Sequence, residues 1–284
     1  MKLSNLVPSW FPSWVPGSRR RRPIVSVLRL SGVIGGGGPV RGGALNMDGL
    51  NKSIERAFAP RGLKAVALAV NSPGGSPVQS ALIARRIRQL ADKKDVKVLA
   101  FAEDVAASGG YWLACAADEI FAEESSILGS VGVISAGFGF NDLLSRHGVE
   151  RRVHTAGARK GMLDPFQAED ADDVERLKSI QADIHVNFKD HVRARRGDRL
   201  TGEEKDLFNG DIFLGKQALA LGLIDGIGDM QTILRERYGD KVRLNSIAQR
   251  KPLLRRRLGV DTGAIAGDVI AAIEDWSHWK RFGL

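Results

Sequence analysis

The fold is decided by the stretch Val105-Ala106-Ala107-Ser108-Gly109-Gly110-Tyr111-Trp112-Leu113-Ala114. An apolar run at residues 96–102 is typical of a strand, and the residues after the two glycines have the spacing of a helix. We therefore expect Ser108 at a strand-to-helix turn, where the backbone N–H of Gly109 has no helical partner and the helix dipole favours developing negative charge. This position suits a nucleophile. The alternative is a helix-capping serine followed by glycines that ease a tight turn, and the stretch taken alone favours that alternative.

Strand and helix patterns alternate on both sides of this stretch. Strand patterns occur at residues 23–30, 63–70, 96–102, 118–123 and 149–155, and helical patterns occur at residues 45–57, 76–90, 141–147, 169–196 and 216–221. The alternation predicts an α/β fold with a parallel sheet, βαβ units and helices on both faces. Such sheets carry their chemistry at the carboxyl ends of the strands. One of these ends is Asn71-Ser72-Pro73-Gly74-Gly75, a turn sequence whose glycines let the backbone approach a ligand.

Charge and cysteine content narrow the range of functions. The chain has 284 residues, a formal net charge of +9 and one cysteine, Cys115. The basic excess lies in tail segments at residues 19–22 and 250–257, which indicates affinity for anionic lipid or nucleic acid. We find neither a zinc-ligand spacing nor an aromatic and basic RNA-binding pattern, so nucleic acid is not an expected partner. Cys115 lies in an apolar helical run and is interpreted as a small core residue.

The first 22 residues form an unusual leader. Trp10, Phe11 and Trp14 are interrupted by prolines and precede four arginines. No run of about 18 apolar residues is present, so a membrane-spanning helix is not predicted. A segment lying in a lipid interface and a disordered leader both fit this composition, and neither is favoured. We divide the chain into this leader, a domain at residues 23–245, and a basic linker with a C-terminal amphipathic helix at residues 246–284.

Four segments in a fixed order carry a resemblance to a known family. They are Asn71-Ser72-Pro73-Gly74-Gly75, Ala107-Ser108-Gly109-Gly110-Tyr111, Gly129-Ser130-Val131-Gly132-Val133, and the Lys160 loop that ends in Asp164-Pro165-Phe166. Their order and spacing resemble the signal peptide peptidase A family, also called protease IV, and the likeness covers about residues 23–240. The resemblance implies a ClpP/crotonase-like fold and a membrane-associated serine peptidase that uses a serine–lysine dyad.

The resemblance also implies a role for each matching residue. Ser108 matches the nucleophile, Lys160 the general base, and Ser130 the hydroxyl that holds the lysine amine. Gly75 and Gly109 match the oxyanion hole, and no metal or cofactor takes part. A lysine serves as a base when desolvation lowers its pKa. We expect the apolar residues that follow Lys160 to supply a dry wall for this purpose; they are Met162, Leu163, Pro165 and Phe166.

The motif set occurs once in this chain, whereas some members of the resembled family are tandem duplications. We therefore expect a homo-oligomeric ring that acts on peptides, with Ser108 of one subunit facing Lys160 of the next. The expected location is peripheral on an anionic membrane, on its cytoplasmic side. Two alternatives remain open. One is a crotonase-like acyl-CoA enzyme, which uses a glycine-lined oxyanion hole without a serine–lysine pair, and the other is a catalytically silent membrane scaffold.

Overall fold

The computed structural model describes residues 22–35, 45–157, 159–247 and 279–283. The leader before residue 22 and most of the predicted C-terminal linker and helix lie outside these ranges, so the interpretations of both stay predictions. The strands are β1 (Ile24–Ser31), β2 (Leu63–Ser72), β3 (Lys97–Ala107), β4 (Glu119–Ala122), β5 (Ile127–Gly129), β6 (Ile212–Leu214), β7 (Gly226–Ile227) and β8 (Arg243–Ser246). The helices are α1 (Met47–Ala57), α2 (Pro77–Lys94), α3 (Gly109–Ala114), α4 (Asn141–Arg146), α5 (Ala171–Arg196), α6 (Glu204–Leu207), α7 (Gly215–Ala220) and α8 (Met230–Tyr238).

The strands of the described ranges form one sheet. Its order is β6-β5-β3-β2-β1-β8, and β4 pairs with β3 and β7 beside this path. Every pair is parallel except β5 with β6. β3 has two neighbours on the same edge, because residues 99–102 pair with β4 and residues 105–107 pair with β5. The predicted α/β fold with a mainly parallel sheet is confirmed.

Both faces of this sheet are buried. Val66, Leu68 and Val70 of β2 lie in a core that also contains residues of α1, α2 and α3. The intervening Ala65 and Ala67 lie in a second core with residues of α8. A period of two is that of a strand whose successive side chains enter opposite faces. Helices therefore cover both faces of the sheet, as the sequence predicts.

The predicted strand at residues 149–155 is wrong, because these residues form no strand and are exposed. They belong to a segment at residues 133–170, here called the arm, in which no described residue is buried. A strand forms only where a neighbour accepts its backbone hydrogen bonds, and the described part of the chain has no strand paired with the arm. α8 and β8, in contrast, have no counterpart among the predicted elements.

None of the helices in the described ranges has both the length and the apolar content needed to cross a membrane.

Candidate active site

Ser108 lies at the turn between β3 and α3 in a strained backbone conformation. Its φ of 50° and ψ of −122° are values that a residue with a side chain rarely adopts. The backbone is held from both sides, since the Ser108 N–H donates to the Gly129 carbonyl at 2.8 Å and the Ser108 carbonyl accepts from Trp112 N–H at 3.0 Å. The hydroxyl makes no capping hydrogen bond to α3. The capping alternative is therefore wrong, and the half-buried side chain is held in a strained position without serving the helix.

The glycine turn after β2 packs directly against the Ser108 turn. Gly74 has a φ of +108°, and a Cβ atom added to it would lie 2.8 Å from Ser108 Cβ and 2.9 Å from Gly109 N. Gly75 has a φ of +136°, and an added Cβ would lie 1.9 Å from the carbonyl oxygen of Ile34. Only glycine fits at either position. The structure thus brings together the two segments that the sequence predicts to form an oxyanion hole.

The two predicted oxyanion-hole donors, Gly75 N–H and Gly109 N–H, have no acceptor in the described part of the chain. Ile34 donates its N–H to Gly74 and accepts the N–H of Ser76, each at 2.7 Å. In such a parallel bridge the N–H of the middle residue, Gly75, is directed away from Ile34. Gly109 is the first residue of α3, where a helix has no internal partner for its N–H. Both donors remain available to a developing negative charge.

Ser130 leaves the sheet beside Ser108. Ala107 of β3 pairs with Gly129 of β5, so the two serines are the next residues on neighbouring strands. Ser130 has a φ of 51° and is 6% exposed. Its N–H donates to the Asp211 carbonyl at 2.6 Å, which fixes the backbone at this point. The structure therefore brings Ser130 into the same region as the nucleophile.

Lys160 makes no hydrogen bond with Ser108 or Ser130 in the described part of the chain. It lies exposed in a turn of the arm, with its N–H donating to the Gly157 carbonyl at 3.1 Å. In the described part of the chain its ammonium group makes no hydrogen bond or ion pair. The expected dry wall is also missing within one chain, since Leu163 and Phe166 are 38% and 39% exposed. The prediction of a desolvated lysine is thus not met by a single copy.

Two histidines of α5 contact the backbone near the predicted site and were not singled out from the sequence. His185 Nε2 lies 3.0 Å from the Val131 carbonyl, and His191 Nε2 lies 3.1 Å from the Trp112 carbonyl in α3. The Trp112 ring stacks between His191 and Phe188, at centroid distances of 4.9 and 4.8 Å. Burial lowers the pKa of His191 to about 4, so the imidazole is neutral at pH 7. His185, Phe188 and His191 are three residues apart, a spacing that places them on one face of a helix. This spacing is visible in the sequence and could have indicated their shared role.

A second set of contacts fixes α3 from the opposite end. The Tyr111 hydroxyl donates to the Leu223 carbonyl at 2.7 Å, and burial raises the pKa of this tyrosine well above its usual value. Arg196 donates to both carboxylate oxygens of Asp225, at 2.7 and 3.1 Å. Burial raises the pKa of Cys115 to about 12, so the thiol is protonated and unreactive. The interpretation of Cys115 as a core residue is confirmed.

Comparison with known families shows to which family this chain belongs. The model of "Peptidase family S49" matches residues 90–243. The chain belongs to this family. A Synechocystis protein assigned as a protease, slr0021, is 34% identical over 74% of this chain and 76% of its own length. The chloroplastic serine protease SPPA of Arabidopsis thaliana is 32% identical over 76% of this chain and 32% of its own length.

Two further comparisons concern length and fold. A Brucella abortus protein named Na(+)/H(+) antiporter NhaA is 50% identical over 99% of this S49 chain, which spans 40% of that protein. Among solved structures, a variant of the 1510-N membrane-bound stomatin-specific protease in complex with a substrate peptide has a TM-score of 0.52 at 15% identity, over 80% of this chain and 93% of the other. This likeness bears on the fold alone and agrees with the ClpP-like architecture.

Proposed function

We propose that the S49 chain is a serine endopeptidase that hydrolyses short hydrophobic peptides, signal peptides among them, with Ser108 as nucleophile. The observation that carries the proposal is the strained Ser108 turn, which packs against a glycine turn. Among the described residues, the Gly75 and Gly109 N–H groups at this contact have no acceptor. A nucleophile with two adjacent unpaired backbone donors is the arrangement that acyl transfer requires. Membership of a peptidase family supports the same reaction.

The proposed reaction needs one base and no cofactor. The neutral amine of Lys160 accepts the proton of the Ser108 hydroxyl as Oγ attacks the peptide carbonyl carbon. The carbonyl oxygen becomes an oxyanion, which accepts hydrogen bonds from Gly75 N–H and Gly109 N–H. The C–N bond then breaks, and the leaving amine takes the proton from the Lys160 ammonium. In the second half of the reaction, Lys160 takes a proton from water as the water oxygen attacks the acyl carbon. The bond between that carbon and Ser108 Oγ then breaks, and the Lys160 ammonium returns the proton to Oγ.

The exposed arm supports the further proposal that Lys160 acts on Ser108 of a neighbouring copy. The arm carries apolar side chains with high exposure: Phe138 at 80%, Ile134 at 66%, Val149 at 53% and Leu143 at 52%. Large apolar side chains exposed in one segment are typical of an interface. Contact with a second copy would also remove water from Lys160, as a neutral amine requires. Head-to-tail contacts between identical chains close into a ring when the rotation allows.

Covalent labelling by a serine-directed fluorophosphonate tests the nucleophile. We expect the full-length protein to be labelled, the Ser108→Ala variant to remain unlabelled, and the Ser246→Ala variant, whose serine is exposed on β8 far along the chain, to label like the natural protein. Equal labelling of Ser108→Ala and the natural protein would refute the assignment. Tight binding of coenzyme A by a protein that resists labelling would favour the acyl-CoA alternative.

We further propose a peripheral contact with the cytoplasmic face of an anionic membrane through residues 1–22. Arginines near such a surface contribute about 1 kcal/mol each, and tryptophans add an apolar anchor. Removal of residues 1–22 should release the protein from anionic liposomes and leave hydrolysis of a small peptide unchanged. Equal co-sedimentation with and without this segment would contradict the proposal.

A further inference from the structure

The strands β2 and β3 lose register just before the two loops of the candidate site. Val70 pairs with Ala102, but Ser72 pairs with Ala106, so β3 has three residues where β2 has one. At about 3.3 Å per residue, the two additional residues take up about 6.6 Å of β3. Ser108 follows β3 directly and Gly74 follows β2. This register break therefore determines which part of the glycine turn lies opposite the nucleophile.

Asn71 is the single residue of β2 at the break, and its side chain crosses to β3. Its Nδ2 donates to the Asp104 carboxylate at 2.7 Å, and its Oδ1 accepts from Val105 N–H at 3.3 Å. Its own backbone carbonyl accepts from Gly32 N–H at 3.0 Å, next to the end of β1. The nitrogen and the oxygen of the Asn71 side-chain amide thus both bond to the additional residues of β3. The main-chain carbonyl of Asn71 bonds to the end of β1 instead.

The other carboxylate of the break is engaged elsewhere. Glu103 forms an ion pair with Arg29 at 2.7 Å. Its side chain is therefore directed to β1 and makes no hydrogen bond with Asn71 in the described part of the chain. Asp104, although exposed, has its hydrogen bond with Asn71. The two neighbouring acidic residues have different partners, and one of them offers a matched control for the other.

The residues that follow the register break are closely packed. A Cβ atom on Gly110 would lie 2.4 Å from the Ser72 carbonyl oxygen, and one on Gly74 would lie 2.8 Å from Ser108 Cβ. The Gly74 N–H is held by the Ser72 hydroxyl at 3.2 Å. A shift of β3 along β2 would therefore also displace Ser108 and the N–H groups of the oxyanion hole, because these closely packed atoms have no room to adjust separately.

We propose that Asn71 is a positioning residue, which holds the register break through Asp104 and Val105 N–H and thereby sets the distance between Ser108 and the Gly75 donor. The inference rests on the proposed peptidase function of this site. Asn71 touches no reacting atom, so its loss lowers kcat and leaves KM nearly unchanged. A displacement of about 1 Å at a catalytic group lowers the rate about 100-fold, and we expect a loss of about 10- to 100-fold.

Four variants of the full chain test this positioning role. Asn71→Asp keeps the acceptor for Val105 N–H but replaces the donor to Asp104 by a like charge. Asp104→Asn keeps an acceptor for Asn71 and should retain kcat within about two-fold of the natural protein. The double variant Asn71→Asp with Asp104→Asn restores the hydrogen bond with donor and acceptor exchanged. Glu103→Gln removes the neighbouring ion pair and should leave kcat unchanged.

The expected result is a low kcat for Asn71→Asp that recovers in the double variant, with KM constant throughout. Hydrogen exchange at residues 103–110 gives a readout that needs no activity, and it should accelerate in Asn71→Asp and return to normal in the double variant. Unchanged exchange or unchanged kcat in Asn71→Asp overturns the inference, as does a folded double variant that recovers neither. A natural protein without hydrolysis or labelling refutes the proposed function instead, while the exchange data still decide whether Asn71 holds the break.

Discussion

Substitution of Gly74 by alanine tests the close packing between the glycine turn and the nucleophile. The new Cβ atom would lie 2.8 Å from Ser108 Cβ, whereas ordinary van der Waals contact begins at 3.4 Å. One of the two segments must therefore move by about 0.6 Å. Displacement of a catalytic group by about 1 Å costs about 100-fold in rate, so we expect kcat to fall by about 10-fold or more. The positive φ at this position adds about 1–3 kcal/mol of backbone strain.

Gly62→Ala is the matched control for this variant. Gly62 also has a positive φ, +78°, but a Cβ atom there would have nothing within 4 Å. This control therefore carries the backbone strain without the steric contact, and it should lower stability by about 1–2 kcal/mol without changing kcat. The difference in kcat between the two variants therefore measures the effect of the steric contact with Ser108.

The assay combines steady-state hydrolysis of a fluorogenic apolar peptide, the rate of fluorophosphonate labelling, and thermal unfolding. For a domain of this size, 1 kcal/mol corresponds to about 2–4 °C in Tm. Both variants should unfold at lower temperature, and only Gly74→Ala should lose kcat and labelling rate. A folded Gly74→Ala protein with the same kcat as Gly62→Ala would refute the reasoning.

Three further predictions concern assembly, pH and packing. Mixed assemblies of inactive Ser108→Ala and inactive Lys160→Ala chains should partly regain peptidase activity; subunits that exchange without any recovery would contradict a shared dyad. Because burial lowers the folded-state pKa of His191 to about 4 from 6.5, the unfolded state takes up the proton first as pH falls. Stability should then fall by up to about 3 kcal/mol between pH 6.5 and 4, and urea titrations should show a smaller fall for His191→Gln. Tyr111→Phe leaves the buried Leu223 carbonyl without its donor and should lower the free energy of unfolding by about 1–3 kcal/mol; an unchanged urea midpoint would contradict the role of that hydrogen bond.

The sequence predicts well those features whose cause is local. Ser108 is preceded by small residues and followed by two glycines, and this pattern alone predicts a tight turn into a helix. The glycines at 74 and 75 are required by positive φ values and by close contacts, Gly74 with the nucleophile turn and Gly75 with Ile34. Buried parallel strands such as β2 are recognised as continuous apolar runs.

Other features depend on contacts between segments that are distant in the sequence, and no local sequence pattern reveals such contacts. The register break at Asn71 comes from one side chain that bonds to Asp104 and Val105, and such a contact leaves no periodicity in the sequence. β8 is a short strand at the sheet edge with only half-buried and exposed residues, so its apolar signal is weak. Residues 149–155 contain only two apolar residues, Val149 and Val153, and in the described part of the chain no strand pairs with them.

The burial of α5 changes along its length, and this bears on the proposed role of the arm. The helix is held to the nucleophile region from His185 onward, with Phe188 and Val192 only 3% and 0% exposed. Before His185 it is half-buried or exposed, and at 1.5 Å per residue it projects about 20 Å to its start at Ala171. The arm that carries Lys160 precedes that projecting end directly. The C-terminal half of α5 thus packs on Val131 and Trp112, next to the Ser108 turn, while its N-terminal half and the described residues of the arm before it include none that is buried. In the described part of the chain no surface covers the apolar residues of the arm. The proposal that a second copy covers them, and brings Lys160 to its Ser108, follows from this exposure and is decided by the mixed-assembly experiment.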